Sequence, residues 1–196
     1  MTGSVRKALC SLDPGIRTFQ TGYDTDSSFK IEDDLGQRIR GYARRLNRMN
    51  CRDAWYKKLS RRLHDRIRHI VDDVHYKACN WLCNSYNTII IGNMSTVSIA
   101  KSRRLPRGQN QLMYLMSHYQ FRQRLKHKSE ICGCIFVEQD ESYTSKTCGA
   151  CGELNHKLGG NKTFACDKCR FTIDRDVNGA RNIMMKAMPS LVRKTK

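Results

Sequence analysis

The chain has 196 residues and a formal net charge of +18, from 36 Lys and Arg against 18 Asp and Glu. Such an excess of positive charge favours a polyanion as partner, because neutralised phosphates release their counterions. The length suits one domain with a buried core, and no run approaches the roughly eighteen apolar residues of a transmembrane helix. Met1 to Leu12 is too short and too weakly apolar for a signal peptide. We therefore predict no membrane partner and an intracellular, reducing compartment, which would be the nucleus in a eukaryotic host.

Two antiparallel strands are the first predicted elements. Ala8 to Asp13 and Arg17 to Tyr23 are short apolar or β-favouring runs, and Pro14-Gly15 between them favours a tight turn. The polar segment Ser27 to Asp34 indicates a loop or a short third strand.

A long helical region follows. Apolar residues recur at helical spacing from Ile39 to Leu82, and Asn50 with Asp53 resembles a helix cap, which favours a split into two helices near residue 51. The outward faces are rich in cations, and a solvated charged face would account for them. The acids are too few to balance these cations, however, which favours contact with phosphate. The predicted nucleic-acid-binding residues of these helices are Arg44, Arg45, Arg61 and Arg62.

The next segment alternates strand and helix. Asn87 to Ile91 is a β-branched run typical of a strand buried on both faces, and Gly92 ends it. A basic loop at 101–108 comes before a helix with apolar positions from Leu112 to Leu125, in which we expect His118 to be packed rather than catalytic. Ile131 to Glu138 indicates a further strand. The basic loop supplies four more predicted nucleic-acid-binding residues, Lys101, Arg103, Arg104 and Arg107.

Four cysteines form the pattern C-x2-C-x14-C-x2-C: Cys148, Cys151, Cys166 and Cys169. Each pair can close a tight knuckle, and two knuckles can face one zinc ion tetrahedrally. Chance spacing of buried thiols is the alternative, and His156 between the pairs could replace one ligand. The other six cysteines show no comparable spacing, and we expect them to be core or surface thiols.

A final helix is predicted from Asp174, with acidic residues at its N-terminal end, where the helix dipole favours them. The order of elements is then strand, strand, helices, strand, helix, strand, inserted zinc knuckle and helix. A mixed α/β arrangement in three layers is the simplest fold for this order.

Acidic residues at strand ends and helix starts stand out in so basic a chain. Two Mg2+ ions held by clustered carboxylates can assist phosphodiester hydrolysis. Three separated groups could converge on such a site, although Asp13 could be an ordinary turn residue and Asp174 an ordinary helix cap. The groups are Asp13, then Glu138 with Asp140 and Glu141, then Asp174 with Asp176.

Three ordered motifs and the cysteine spacing resemble the C-terminal half of the TnpB and Fanzor family. These are transposon-associated, RNA-guided DNA endonucleases related to type V CRISPR effectors. The motifs are Leu12 to Phe19, Tyr143 to Gly152 and Asp174 to Ile183, while His75 to Ile91 and Ser117 to Leu125 are more similar to the Fanzor-type eukaryotic and viral branch. The resemblance covers essentially the whole chain. It implies a RuvC-like ribonuclease H fold, a mixed central sheet flanked by helices, with an inserted zinc-ribbon module of four cysteines.

The resemblance also implies the site residues. Asp13, Glu141 and Asp176 would be the catalytic carboxylates and would hold Mg2+ or Mn2+, two ions in all, while the four cysteines would hold one structural zinc. Typical bacterial members place a Glu just after the central strand, where this chain has Gly92. Fanzor-like members resemble a rearranged site in which the Glu two residues before Tyr-Thr-Ser serves instead. That residue is Glu141 here, with Glu138 as the alternative.

The implied organisation is a nuclease core at 1–142, a zinc ribbon of the target nucleic-acid-binding type at 143–172, a final helix of the core at 173–192 and a basic tail at 193–196. The implied function is that of a divalent-metal-dependent DNA endonuclease. Family members carry a large N-terminal half for guide RNA and target duplex. This chain starts almost at the first catalytic strand, so we expect a truncated protein that binds guide RNA only together with that half. A non-catalytic zinc-ribbon nucleic-acid-binding protein and a decayed remnant are the alternatives.

Overall fold

One five-stranded mixed sheet organises the chain, in a computed structural model that describes residues 5–49, 55–101, 105–156, 159 and 161–194. The strands stand in the order β3-β2-β1-β4-β5. Their bounds are β1 (Lys7–Pro14), β2 (Gln20–Asp24), β3 (Ser28–Ile31), β4 (Tyr86–Gly92) and β5 (Ile135–Gln139). The first three strands form an antiparallel meander, which confirms the predicted antiparallel pair and the optional third strand.

The parallel part of the sheet brings three strand ends to one edge. Strand β1 runs parallel to β4, with Leu12 opposite Ile91, and β4 runs parallel to β5, with Gly92 opposite Gln139. Parallel strands share the edge at which their carboxyl ends lie, and the segments that follow them meet there. Asp13 therefore lies close to the loop that follows β5.

In the part of the chain that the structure describes, six helices complete the layers: α1 (Leu35–Arg48), α2 (Tyr56–Ser85), α3 (Thr96–Lys101), α4 (Arg107–Leu115), α5 (His118–Cys132) and α6 (Arg175–Lys194). The larger core lies between one sheet face and helices α1, α2, α4 and α5, and it contains Leu12, Ile89 and Ile91. A smaller core on the opposite face packs Ile90 against Ile183 of α6. Strand β4 is thus buried on both faces, and the predicted three layers are confirmed.

Several predicted boundaries are wrong. The segment 101–108 is not one loop, because Lys101 ends α3 and Arg107 begins α4. The helix expected across 112–125 is two helices, since Ser117 adopts a left-handed backbone conformation with φ 51°. Helical spacing conceals this break because both helices face the same core.

The strand expected from Ile131 begins only at Ile135. Helix α5 continues to Cys132 and ends at Gly133, whose φ of 68° is the left-handed conformation that terminates helices. The split predicted near residue 51 is confirmed to the extent that α1 ends at Arg48 and α2 begins at Tyr56. Asn50 and Asp53, which were expected to cap the second helix, lie outside the described residues.

A small module stands between β5 and α6. Strands β6 (Thr163–Ala165) and β7 (Thr172–Asp174) form an antiparallel hairpin, and an isolated bridge joins Thr147 to Leu154. Its own small core contains Phe164. Within the described ranges, none of the helices has the length and apolar character needed to cross a lipid bilayer.

Candidate functional site

Asp13 lies near the end of β1 on the sheet face that packs against α6. Ser11, two residues earlier on the same face, donates a hydrogen bond from Oγ to the Ala180 carbonyl at 2.7 Å. Asp13 Oδ2 lies only 2.5 Å from the position that a Cβ on Gly179 would occupy. Helix and carboxylate can therefore approach this closely only because residue 179 has no side chain.

Negative charge is concentrated around Asp13. Burial raises the pKa of Asp13 well above its usual range, the charges of Glu141 and Asp176 raise it further, and Arg175 acts in the opposite direction. A carboxyl group that meets desolvation and two like charges favours its neutral form. Glu141 and Asp176, from two other segments of the chain, thus lie close enough to Asp13 for their charges to act on it.

Asp176 is held by the start of α6. The Asp174 Oδ1 accepts hydrogen bonds from the backbone N–H groups of Asp176 at 2.9 Å and of Val177 at 3.3 Å. Asp174 is therefore a helix cap, one of the two roles considered for it. Arg175 Nε lies 3.8 Å from Asp176 Oδ1.

Glu141 reaches the site from the loop after β5. Its Oε2 is buried and has no hydrogen-bond partner among the described residues. Burial and then the charge of Asp140 raise the pKa of Glu141 to about 7, while Arg122 lowers it. A buried carboxylate oxygen without a partner is costly in a folded protein, unless a cation balances it.

Glu138 lies on the face of β5 that points away from α6. Phe136 packs against the larger core and Val137 against the smaller one, so Glu138 shares the face of Phe136 and lies opposite the face that carries Asp13. Its Oε2 forms an ion pair with Arg122 Nε at 3.2 Å. The geometry therefore favours Glu141 over Glu138 as the third carboxylate.

The four predicted cysteines form one cluster. All four Sγ atoms lie within 4.8 Å of one another, and Cys148 Sγ with Cys169 Sγ, like Cys151 Sγ with Cys166 Sγ, are 3.6 Å apart. Tetrahedral thiolates around zinc, at Zn–S distances of about 2.3 Å, would have their sulfurs roughly 3.8 Å apart. The cluster is compatible with zinc, and within the described part of the chain it contains the four cysteines without His156.

Each cysteine pair is closed by a knuckle of backbone hydrogen bonds. Gly152 N–H donates to the Cys148 carbonyl at 2.9 Å, and Arg170 N–H donates to the Cys166 carbonyl at 3.0 Å. Both donors have positive φ, 78° for Gly152 and 61° for Arg170. The backbone N–H groups of Cys169 and Lys168 lower the pKa of Cys166 to about 7, which favours the thiolate form that metals bind.

The Arg and Lys residues predicted to bind nucleic acid are exposed wherever the structure describes them. Arg44, Arg45, Arg61 and Arg62 are exposed on α1 and α2. No ion pair between described residues involves these four side chains, whereas Arg68 and Arg124 pair with Asp65 and Asp72. Of the four cations predicted at 101–107, Lys101 and Arg107 are exposed, and Arg103 and Arg104 lie outside the described residues.

Sequence reasoning missed residues that shape the site without a charge of their own. Gly179 leaves the space that the Asp13 carboxylate occupies. Asn178 and Asn182 connect α6 to the cysteine module by hydrogen bonds. The available signal was two asparagines four residues apart on one helix, a spacing that places both on the same face.

Comparison with known proteins identifies relatives of the chain. Residues 118–183 match the family model described as Cas12f1-like, TNB domain. The chain is 34% identical over 195 residues to the candidate transposase A625R of Paramecium bursaria Chlorella virus 1. The matched region covers 92% of this chain and 43% of that protein. It is 33% identical over 193 residues to the TnpB-like protein L79 of Acanthamoeba polyphaga mimivirus, with coverage of 91% and 37%.

A bacterial relative and a solved structure extend these matches. The chain is 26% identical over 196 residues to the candidate RNA-guided DNA endonuclease InsQ of Escherichia coli K12, covering 90% of this chain and 48% of that protein. The chain therefore spans less than half the length of each of these three relatives. The cryo-EM structure of a Cas12f1-sgRNA-target DNA complex matches with a TM-score of 0.65 at 20% identity, over 92% of this chain and 50% of that one. This likeness confirms the predicted α/β fold class, and the relatives confirm the predicted resemblance.

Proposed function

Because the chain belongs to the TnpB-like family, we propose that it is the nuclease region of a transposon-associated, divalent-metal-dependent DNA endonuclease. The observation that carries the proposal is geometric. Asp13 Oδ2 lies 2.5 Å from the Cβ position of Gly179 on the helix that carries Asp176, and Glu141 Oε2 lies 2.7 Å from the Cβ position of Gly92, beside Pro14. These contacts bring three acids from separate segments near one edge of the sheet. Strand β1, the loop after β5 and the start of α6 each supply one of them.

The three carboxylates fit a divalent cation on two grounds. Carboxylate oxygens are the ligands that Mg2+ and Mn2+ prefer. Glu141 Oε2 is buried and lacks a partner among the described residues, and burial with like charge raises the pKa of both Glu141 and Asp13. A bound cation would give Glu141 Oε2 a partner and would offset the repulsion and burial that disfavour the charged carboxylates. Asp13, Glu141 and Asp176 would hold the metal, two ions in the arrangement we propose.

The chain's own residues prepare this site in separate ways. When bound, the metal ions would supply activation of the attacking water and stabilisation of the leaving oxygen of a phosphodiester. Asp13 is held at its strand end against Gly179, and Asp176 is held by the cap that Asp174 forms. Glu141 must release its proton to bind a cation, because the pKa of its carboxyl group is raised to about 7. The N-terminus of α6 favours an anion such as phosphate nearby.

The cysteine module completes the proposal. We assign one structural zinc to Cys148, Cys151, Cys166 and Cys169, which would keep the module folded where its own core is small. The substrate we propose is DNA, bound along the exposed arginines of α1 and α2 and the cations at 101–107. InsQ is named for RNA-guided cleavage, and a guide RNA is accordingly the second partner that we propose for the whole protein.

Cleavage of a labelled single-stranded DNA tests the function. The purified chain should cut in Mg2+ or Mn2+ and stop in EDTA, and Asp176→Asn should remove the activity. Asp73→Asn is the matched control, because Asp73 is a surface acid of α2 paired with Lys77. An Asp176→Asn variant that cuts as well as the parent would overturn the assignment. A parent that binds DNA and cuts in neither metal would favour a non-catalytic zinc protein.

A further inference from the structure

Two buried asparagines of α6 join the helix to the segment that leads into the first knuckle. Asn178 and Asn182 are 0% and 8% exposed. Asn178 Nδ2 donates to the Thr147 carbonyl at 2.7 Å, and its Oδ1 accepts from Gly149 N–H at 3.1 Å. Asn182 Nδ2 donates to the carbonyls of Thr144 and Thr147, both at 2.7 Å. The two side chains thus reach different parts of the same segment.

Thr144 continues the connection from Asn182 to Glu141. The backbone N–H of Thr144 donates to the Glu141 carbonyl at 3.1 Å, and Thr144 Oγ1 donates to the same oxygen at 2.7 Å. Thr144 is 6% exposed. A short series of sheltered hydrogen bonds therefore leads from the helix that carries Asp176 to the backbone of Glu141.

The turn from Glu141 to Thr144 contains a backbone conformation that these hydrogen bonds must stabilise. Tyr143, between Glu141 and Thr144 in sequence, has a φ of 66°, a conformation that costs energy for a residue with a side chain. Another tether of the loop is the ion pair of Lys186 Nζ with Asp140 Oδ2 at 2.6 Å, whose side chains are 40% and 53% exposed. Exposed ion pairs contribute little, so the buried bonds of Thr144 and Asn182 are the stronger constraint.

Glu141 Oε2 lies 2.7 Å from the position that a Cβ on Gly92 would occupy, so the carboxylate lies over this strand end. We propose that Asn182, acting through Thr144, is a positioning residue that holds Glu141 over Gly92 and thereby sets the affinity of the carboxylate site for divalent cations. The inference rests on the proposed function. Asn178 forms no hydrogen bond with Thr144 among the described residues; its bonds hold Thr147 and Gly149 beside Cys148. One helix thus holds the turn of Glu141 through Asn182, and the residues at the start of the first knuckle through both asparagines.

Binding of Mn2+ alone to the zinc-loaded full chain, followed by calorimetry, tests this role. Thr144→Val keeps the shape of the side chain and removes the Oγ1 bond, and we expect the Mn2+ dissociation constant to rise about tenfold, as for other groups that orient metal ligands. Asn182→Ala should have at least that effect. Thr144→Ser keeps the hydroxyl and should restore the parent affinity.

Thr172→Val is the matched control. Its Oγ1 donates to the Arg170 carbonyl at 3.4 Å on β7, outside the turn of Glu141, so its removal should leave Mn2+ affinity unchanged. Zinc content and melting temperature, measured on every variant, identify any loss of fold. If Asn182→Ala fails to fold, the Thr144 pair decides the question.

The outcomes separate this inference from the proposed function. A parent chain that binds no Mn2+ overturns the carboxylate site and the positioning role together. The positioning role alone is overturned if the parent binds Mn2+ and the folded Thr144→Val and Asn182→Ala variants bind it with the same affinity as the parent. A Thr144→Ser variant as weak as Thr144→Val would show that packing and not the hydroxyl matters, and it would also overturn the role.

Discussion

The carboxylate of Glu141 occupies the space that a side chain on Gly92 would need, since Oε2 lies 2.7 Å from the position of a Cβ on that glycine. Pro14 Cδ and Ile183 Cδ1 close the same space at 3.1 and 3.2 Å. The strand end that carries no acid is thus the place over which the carboxylate of the next loop lies. This arrangement supports the interpretation that Glu141 serves in place of an acid on β4.

Gly92→Ala should displace Glu141. The added methyl group cannot coexist with Oε2 at 2.7 Å, and the free end of the glutamate is the easiest atom to move. We expect Mg2+-dependent cleavage to fall about tenfold, as for a misplaced ligand, with a stability loss of only about 1 kcal/mol. Cleavage rate and urea unfolding measure the two effects.

Gly41→Ala is the control for this substitution, because a Cβ at Gly41 of α1 would meet no described residue outside its own helix turn within 4 Å. Full activity in Gly92→Ala would contradict the placement of Glu141 over Gly92.

Stability without metal should depend on pH through Glu141. Its pKa is about 7 in the folded protein against an ordinary value of 4.5, so between these pH values the folded chain holds a proton that the unfolded chain has released. The free energy of unfolding must then fall as pH rises from about 4.5 to 7, by about 3 kcal/mol in total.

Urea unfolding at pH 5 and pH 8, compared between the parent and Glu141→Gln, measures this change. The comparison cancels the opposite contribution of His75 and His118, whose pKa values are lowered to about 4 and about 3, mainly by burial. Mg2+ should restore the parent at pH 8 and leave Glu141→Gln less affected. Parallel pH profiles of the two proteins would refute the shifted carboxyl group.

Metal analysis should find about one zinc per chain, and Cys166→Ser should release it. Cys166 is buried in the module's core, where its Sγ lies 3.6 Å from Cys151 Sγ. Cys132→Ser is the control, since Cys132 is a free thiol outside the cluster. Full zinc content in Cys166→Ser would argue against this site.

The exposed arginines of α2 should determine how DNA affinity depends on salt. Replacing Arg61 and Arg62 by Ala should weaken binding and reduce the slope of log Kd against log salt by about two, one for each phosphate that is no longer neutralised. Lys77→Ala is the control, because Asp73 already pairs with Lys77 at 2.8 Å. An unchanged slope in the double variant would place the DNA elsewhere.

Much of the fold was predictable because local patterns decide it. The β-branched run before Gly92 predicted a strand buried on both faces, and helical spacing predicted α1 and α2. The errors occurred where a local pattern continued across a change of backbone direction. At Ser117 and Gly133 a positive φ interrupts an apolar pattern that both neighbouring elements share.

The amino-acid sequence singled out the candidate ligands: four cysteines at knuckle spacing, and three groups of acids in a basic chain, from which the family resemblance selected Asp13, Glu141 and Asp176. The choice between Glu141 and Glu138 required the folded chain, because alternate residues of a strand point to opposite faces and Glu138 faces Arg122. The fold also revealed why Gly92 and Gly179 must be small and how Asn182 reaches the turn of Glu141. Such contacts join residues far apart in the chain, and no local spacing encodes them.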